Sequence, residues 1–210
     1  MAIPNGRRTA EGFRRLIAFA DAVVAIALTL LVLPLAEIGK ELGGDTTVPA
    51  VFSDHSGEII GFLISFFVIW VLWRNHHGTI EYFESYDWVL LELHLVWLLS
   101  IVVLPFATVL MSGNGLKWAG AFYVAVLLVS VTTLVAMGEW GRRHRALLAT
   151  GPDVDEWVAS APDVGTVVAL VVALVGSLVV PQWGTWWLVV LFLAGPADKI
   201  LAALRHSRRE

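Results

Sequence analysis

Residues 16–35 read LIAFADAVVAIALTLLVLPL, twenty residues with one charged side chain, Asp21. About 20 residues of helix, rising about 1.5 Å each, cross a hydrocarbon core about 30 Å thick. The stretch is too long for the apolar core of a signal peptide, and no small-residue cleavage site follows it. It therefore reads as the first membrane span. Five further apolar blocks follow, at residues 59–77, 88–111, 118–137, 164–180 and 183–203. The chain is thus expected to be an all-α membrane protein with six transmembrane helices, one domain over residues 1–210.

Composition agrees with this reading. Of the 210 residues, 58% are hydrophobic and only 15% charged, too little charge for a water-facing surface of this size. The ten tryptophans include several near block ends, where indole rings favour the headgroup layer. The absence of cysteine excludes disulfides and thiolate metal sites. A net charge of −4 with no recognisable RNA- or DNA-binding module speaks against a nucleic-acid partner.

The basic residues set the orientation. With six spans and a cytoplasmic N-terminus, the inner segments hold Arg7, Arg8, Arg14, Arg15, Arg74, Arg142, Arg143, Arg145, Lys199, Arg205, Arg208 and Arg209. The outer segments hold only Lys40 and Lys117. Twelve against two is the bias expected when both termini lie in the cytoplasm. Residues 37–58 then form an acidic, Gly-rich external loop, and residues 142–163 a polar internal loop with two prolines.

Ionisable groups within the spans cluster near the cytoplasmic face. Asp21 lies about 7–8 Å into the first helix. His76 and His77 close the second span, Glu92 and His94 open the third, and Asp198 and Lys199 close the sixth. Long side chains such as Arg74, His77, Glu92 and Lys199 can snorkel to the interface. Asp21 is too short for that and is expected to pair with Arg15 or His76. Structural pairing is favoured over ion or proton relay, because buried ionic groups need partners first.

The first helix has two faces. Ile26, Thr29, Leu30 and Leu33 follow helical spacing and form one stripe, while Asp21 points about 140° away from Ile26. Such a row meets lipid, another helix or a pore, and periodicity does not choose among them. A hydroxyl such as that of Thr29 can bond back to its own helix.

The motifs in the first half of the chain resemble a known pattern. Arg15, three residues, then Phe19-Ala20-Asp21, followed by Ala25-Ile26 and Thr29-Leu30-Leu31, is similar to the signature of the bacterial branch of the lysosomal potassium channel family, transmembrane protein 175. Trp73-x-x-His76 and Leu104-Pro105-Phe106-Ala107-Thr108 match further family motifs. Ala20 stands where the family has serine, which removes one hydrogen bond of the signature and implies a weaker or rearranged anchor.

The resemblance implies a homotetramer in a bacterial inner (plasma) membrane, with the first helix of each subunit lining a central pore for monovalent cations. It implies a pore constriction at Ile26 with further apolar layers at Leu30 and Leu33, and a hydroxyl at Thr29 tied to ion selectivity. It also implies an anchoring network of Arg15, Phe19, Asp21, Trp73 and His76. The expected activity is a potassium-permeable leak with a hydrophobic constriction. No Thr-Val-Gly-Tyr-Gly filter loop is present, so preference for potassium over sodium should be modest. Potassium is then the permeant species, with no cofactor, and membrane lipid is the surrounding partner.

Three other readings compete with a channel. A secondary transporter or proton pathway would use Asp21, His76 and Glu92, yet the midplane lacks the broken helices such machines use. An enzyme with a metal site would draw on His76, His77, Glu92 and His94, but Glu92 and His94 are two apart and do not share a helical face. No nucleophile elbow or His-Glu-x-x-His helix occurs, so no catalytic residue and no metal ligand is assigned. A purely structural role rests on the small residues Gly165, Ala169, Ala173, Gly176 and Ser177, which suit close helix packing of any kind.

Overall fold

Thr9 opens the first helix, its Oγ1 accepting from the Gly12 N–H at 3.2 Å, as helix-capping hydroxyls do. The computed structural model describes residues 9–41, 43–44, 46–112, 116–160 and 164–179. Helix α1 spans Ala10–Leu30, and after a turn at Leu31 and Val32 the chain continues as α2, Leu33–Glu41. Pro34 accounts for the interruption: it has no N–H to give the Leu30 carbonyl, and its ring suits only a first helical turn. Leu33 therefore sits across a break from Ile26, Thr29 and Leu30 rather than on one uninterrupted helix. Helix α3 (Val48–Asp54), α4 (Ser56–Ile80), α5 (Trp88–Ser112) and α6 (Ala119–Arg143) follow. A 3-10 turn at Arg145–Leu147, α7 (Pro152–Ala159) and α8 (Gly165–Val179) complete the described elements.

Four stretches are long and apolar enough to cross a membrane: Ala10–Lys40, Ser56–Ile80, Trp88–Ser112 and Ala119–Arg143. They correspond to the first four expected spans, each longer than the apolar block that marked it. The fifth expected span, residues 164–180, corresponds to α8, a shorter apolar helix of 15 residues. The sixth, residues 183–203, lies outside the described residues. Two segments expected as loops carry short helices instead. Both α3 and α7 have proline in their first two positions, Pro49 and Pro152, so residues that read as loop punctuation start helices here.

Successive long helices run in opposite directions. The Phe13 ring at the start of α1 lies 6.4 Å from Phe83 and 6.2 Å from Tyr86, just past the end of α4. The Trp140 indole near the end of α6 donates to Asp87 Oδ2 at 3.0 Å, next to the start of α5. Arg14, Arg15, Arg74, Arg142, Arg143 and Arg145 consequently gather at one end of the bundle.

Helix α5 lies at the centre, packed against α1, α4 and α6. Its Leu90, Trp97, Ile101 and Leu104 are completely buried, as are Ile69 of α4 and Tyr123 of α6. Polar groups at this depth need partners within the protein. Thr108 Oγ1 donates to Ser65 Oγ at 2.7 Å, and Ser65 shares a hydrogen bond of 3.1 Å with the Tyr123 hydroxyl. One short hydroxyl chain thereby joins α5, α4 and α6. Helix α8 packs on α6, and two of its small residues, Ala173 and Ser177, are buried.

At the arginine-rich end the α4–α5 connection pairs with the segment after α6. Glu84 N–H donates to Leu147 O at 3.0 Å and Ala149 N–H to Tyr82 O at 3.0 Å. Asp87 fixes the turn by accepting from the Leu90 N–H at 2.9 Å while its other oxygen holds Trp140. Gly141 permits the close approach: a Cβ there would overlap the edge of the Phe83 ring and come within 3.2 Å of Leu148 Cδ2. Phe13 and Trp157 flank that ring, so relief requires moving the whole connection. Gly141→Ala should therefore lower the melting temperature of the detergent-solubilised protein. Overpacking of about 1–3 kcal/mol outweighs the roughly 1 kcal/mol that alanine gains in helix propensity. An unchanged or raised melting temperature would contradict this packing.

Candidate functional site

Alanines set the position of α1. Its buried side is formed by Phe13, Ala20, Val24 and Ala27, continued by Leu31, and small side chains bring the helix close to α5 and α4. Ala20, in the place of the signature serine, is fully buried and offers only a methyl group. The opposite side is uncovered within the chain. Ile26 is 58% exposed, Leu30 39% and Leu33 52%, and Thr29 is exposed among them. From Phe19 to Leu33 every exposed residue is apolar apart from Thr29, so this face carries no formal charge.

Thr29 bonds back to its own helix as its position suggested, its Oγ1 donating to Ile26 O at 2.7 Å. With the hydroxyl proton committed inward, what the side chain offers outward is oxygen lone pairs. An outward-facing acceptor suits a cation and gives nothing to an anion.

The anchoring residues are only partly brought together. Asp21 is half-buried, and its Oδ1 accepts from the Trp73 indole N–H at 2.9 Å. Its hydrogen-bond partner is thus Trp73, not Arg15 or His76. Trp73 in turn lies 5.5 Å from the His77 ring, nearly parallel to it, and 4.9 Å from Trp70. His76 is buried elsewhere: it stacks on Trp97 at 4.0 Å and meets the edge of His94 at 5.2 Å. His94 Nδ1 is held to Leu90 O at 2.7 Å. Arg15 is exposed, and Phe19 is 60% exposed on the same side of α1 as Ile26. Seven residues separate Phe19 from Ile26, two helical turns, leaving them within about 20° of each other. That spacing was available in the sequence, where Phe19 was grouped with Asp21 through the motif.

An open cleft of about 710 Å³ lies between the start of α1 and the end of α4, and Asp21 sits on its wall with Ile17, His77, Glu81 and Glu84. Among the described residues no three His, Asp or Glu side chains converge as metal ligands would.

Comparison with known proteins finds relatives of the first half of the chain. The family model described as the endosomal/lysosomal potassium channel TMEM175 matches residues 15–105, the stretch that carries α1, α4 and most of α5. A potassium channel of Streptomyces collinus is 32% identical over 123 residues, covering 59% of this chain and 58% of that protein. A potassium channel of Chamaesiphon minutus is 31% identical over 102 residues, 47% of this chain and 48% of its own length. The endosomal/lysosomal proton channel TMEM175 of Mus musculus is 26% identical over 136 residues, 62% of this chain and 27% of the mouse protein. The chain thus spans about half the length of these bacterial relatives and about a quarter of the mouse one. Residues 15–105 of this chain thus match the TMEM175 family, and the relatives that share this stretch are named as channels.

Proposed function

We propose that the chain is a potassium-permeable cation leak channel of a bacterial plasma membrane, formed by four copies whose α1 helices meet around a common axis. The observation that carries this reading is the uncovered, uncharged face of α1, on which Ile26, Leu30 and Leu33 are interrupted by the single hydroxyl of Thr29. Four Ile26 side chains around an axis make a dry, narrow ring that can gate by dewetting. Thr29, one turn further out, presents acceptor oxygen that replaces part of a cation's water shell. Of the expected anchoring residues, Asp21 and Trp73 support the helix through their hydrogen bond, near the arginine-rich end, which faces the cytoplasm. The bacterial relatives named as potassium channels support the choice of ion.

The direct test is potassium efflux from liposomes containing the purified protein. Cation flux without a coupled ion supports the proposal; anion current, or none, overturns it. Thr29→Ala should move the potassium-to-sodium permeability ratio toward one. Losing one hydroxyl ligand is worth about 0.5–1.5 kcal/mol, about a two- to tenfold change in the ratio. Reversal potentials under bi-ionic conditions measure it, and a ratio identical to wild type would remove Thr29 from the selectivity step.

A second reading has a specific observation behind it: the vertebrate relatives are named proton channels. Protons would then share the α1 pathway or pass by way of Asp21, His76 and Glu92. A pH-sensitive dye inside the same liposomes separates the two, because a proton pathway acidifies the lumen under a proton gradient with potassium absent.

A further inference from the structure

A second cleft, of about 400 Å³, lies at the arginine-rich end between α4, α6, α7 and α8, away from the exposed face of α1. Its polar side carries Arg74 and Arg142, and its wall toward the bundle interior carries Leu72, Val131 and Val135. No carboxylate lines it among the described residues. The neighbouring arginines are already neutralised: Arg143 pairs with Glu139 at 2.9 Å and Arg145 with Asp155 at 2.9 Å. Arg74 and Arg142 make no ion pair among the described residues.

Both guanidiniums are open to a counter-charge. Arg74 is exposed six residues before the end of α4, about 9 Å inside it, from where its side chain reaches the headgroup layer. Arg142 is half-buried with its Nε enclosed and unpartnered among the described residues. Its guanidinium lies 4.5 Å over the Trp157 ring, and Nη2 reaches only Ser160 Oγ at 3.5 Å. Stacking on an indole fixes the plane of the guanidinium and leaves its edge donors to be satisfied. Thr79 donates its own proton to Asn75 O at 2.9 Å, so its oxygen is an acceptor for a hydroxyl-bearing headgroup.

We propose that this cleft holds one anionic phospholipid, with its phosphate between Arg74 and Arg142 and the start of an acyl chain along Leu72, Val131 and Val135. Paired guanidiniums without a carboxylate select a phosphate. The apolar wall, continuous with membrane-spanning helices, selects a phosphate that carries a hydrocarbon chain over a free one. The bound lipid ties the ends of α4 and α6 together through charge that the described residues do not supply at this site.

The test uses the whole 210-residue chain, purified in detergent and delipidated, then given phosphatidylglycerol or phosphatidylcholine. Lipid retained per chain is counted by mass spectrometry. Wild type should retain phosphatidylglycerol about tenfold more than the double variant Arg74→Gln/Arg142→Gln, with phosphatidylcholine equal and low in both. The pair Arg143→Gln/Arg145→Gln removes the same charge outside the cleft and should retain phosphatidylglycerol as wild type does. Equal retention by the cleft variant, equal loss in the control pair, or equal retention of both lipids by wild type overturns the proposal. Release of phosphatidylglycerol by millimolar inorganic phosphate also overturns it, in favour of a soluble-anion site. Should the double variant not elute as wild type on sizing, Arg74→Gln alone changes an exposed side chain and should still lower retention about threefold. Retention is read without any ion flux, so its failure leaves the channel proposal standing.

Discussion

Replacing Ile26 with alanine should raise potassium flux about tenfold. The substitution strips three carbons from each of four side chains at the proposed narrowest ring, widening it and making it easier to wet. A barrier lowered by about 1.4 kcal/mol gives a tenfold rate, a modest demand on four simultaneous truncations. The comparison that gives the result meaning is Val24→Ala, on the opposite, buried side of the same helix. That change opens a packing defect and should lower stability while leaving flux per folded channel close to wild type. Flux that ignores Ile26 but responds to Val24 would mean that the exposed row faces lipid, and the proposed pore would be abandoned.

Asp21→Ala should destabilise the protein and weaken its assembly. The half-buried Trp73 indole N–H loses its acceptor at 2.9 Å, and the lost hydrogen bond costs about 0.5–1.5 kcal/mol. Each copy in an assembly suffers the same loss, so sizing chromatography should show a shift toward smaller species together with a lower melting temperature. Asp21→Asn keeps an acceptor oxygen and should retain most of the stability. Trp73→Phe removes the donor instead. Combined with Asp21→Ala it should cost less than the sum of the two single changes, since both remove the same bond. Additive effects would show that Asp21 acts through some other contact.

The helical architecture was legible because apolar block length is a coarse quantity that the bilayer makes decisive. The long helices α4, α5 and α6 begin or end within several residues of the block limits. Short features were harder to read. Pro49 and Pro152 sit in polar stretches where loop and helix start look alike until the following residues find something to pack on. The turn at Leu31 and Val32 falls inside a uniformly apolar run, where only Pro34 marked it. Partner choice was the least legible. Asp21 was expected to seek a basic residue, but its acceptor oxygens serve equally well with an indole N–H, and which donor reaches them depends on how α4 is rotated against α1. Phe19 shows the converse: helical spacing placed it beside Ile26, while its membership of a motif with Asp21 suggested a buried role.

The inward side of α1 is shallow. Between Phe13 and Leu31 the buried residues are Ala20, Val24 and Ala27, small side chains that interlock little with their neighbours. A flat contact resists separation but offers few teeth against sliding along or turning about the helix axis. On such a surface the Trp73–Asp21 bond, together with Phe13 against Phe83 and Tyr86, is what opposes slippage of the rod along its bearing.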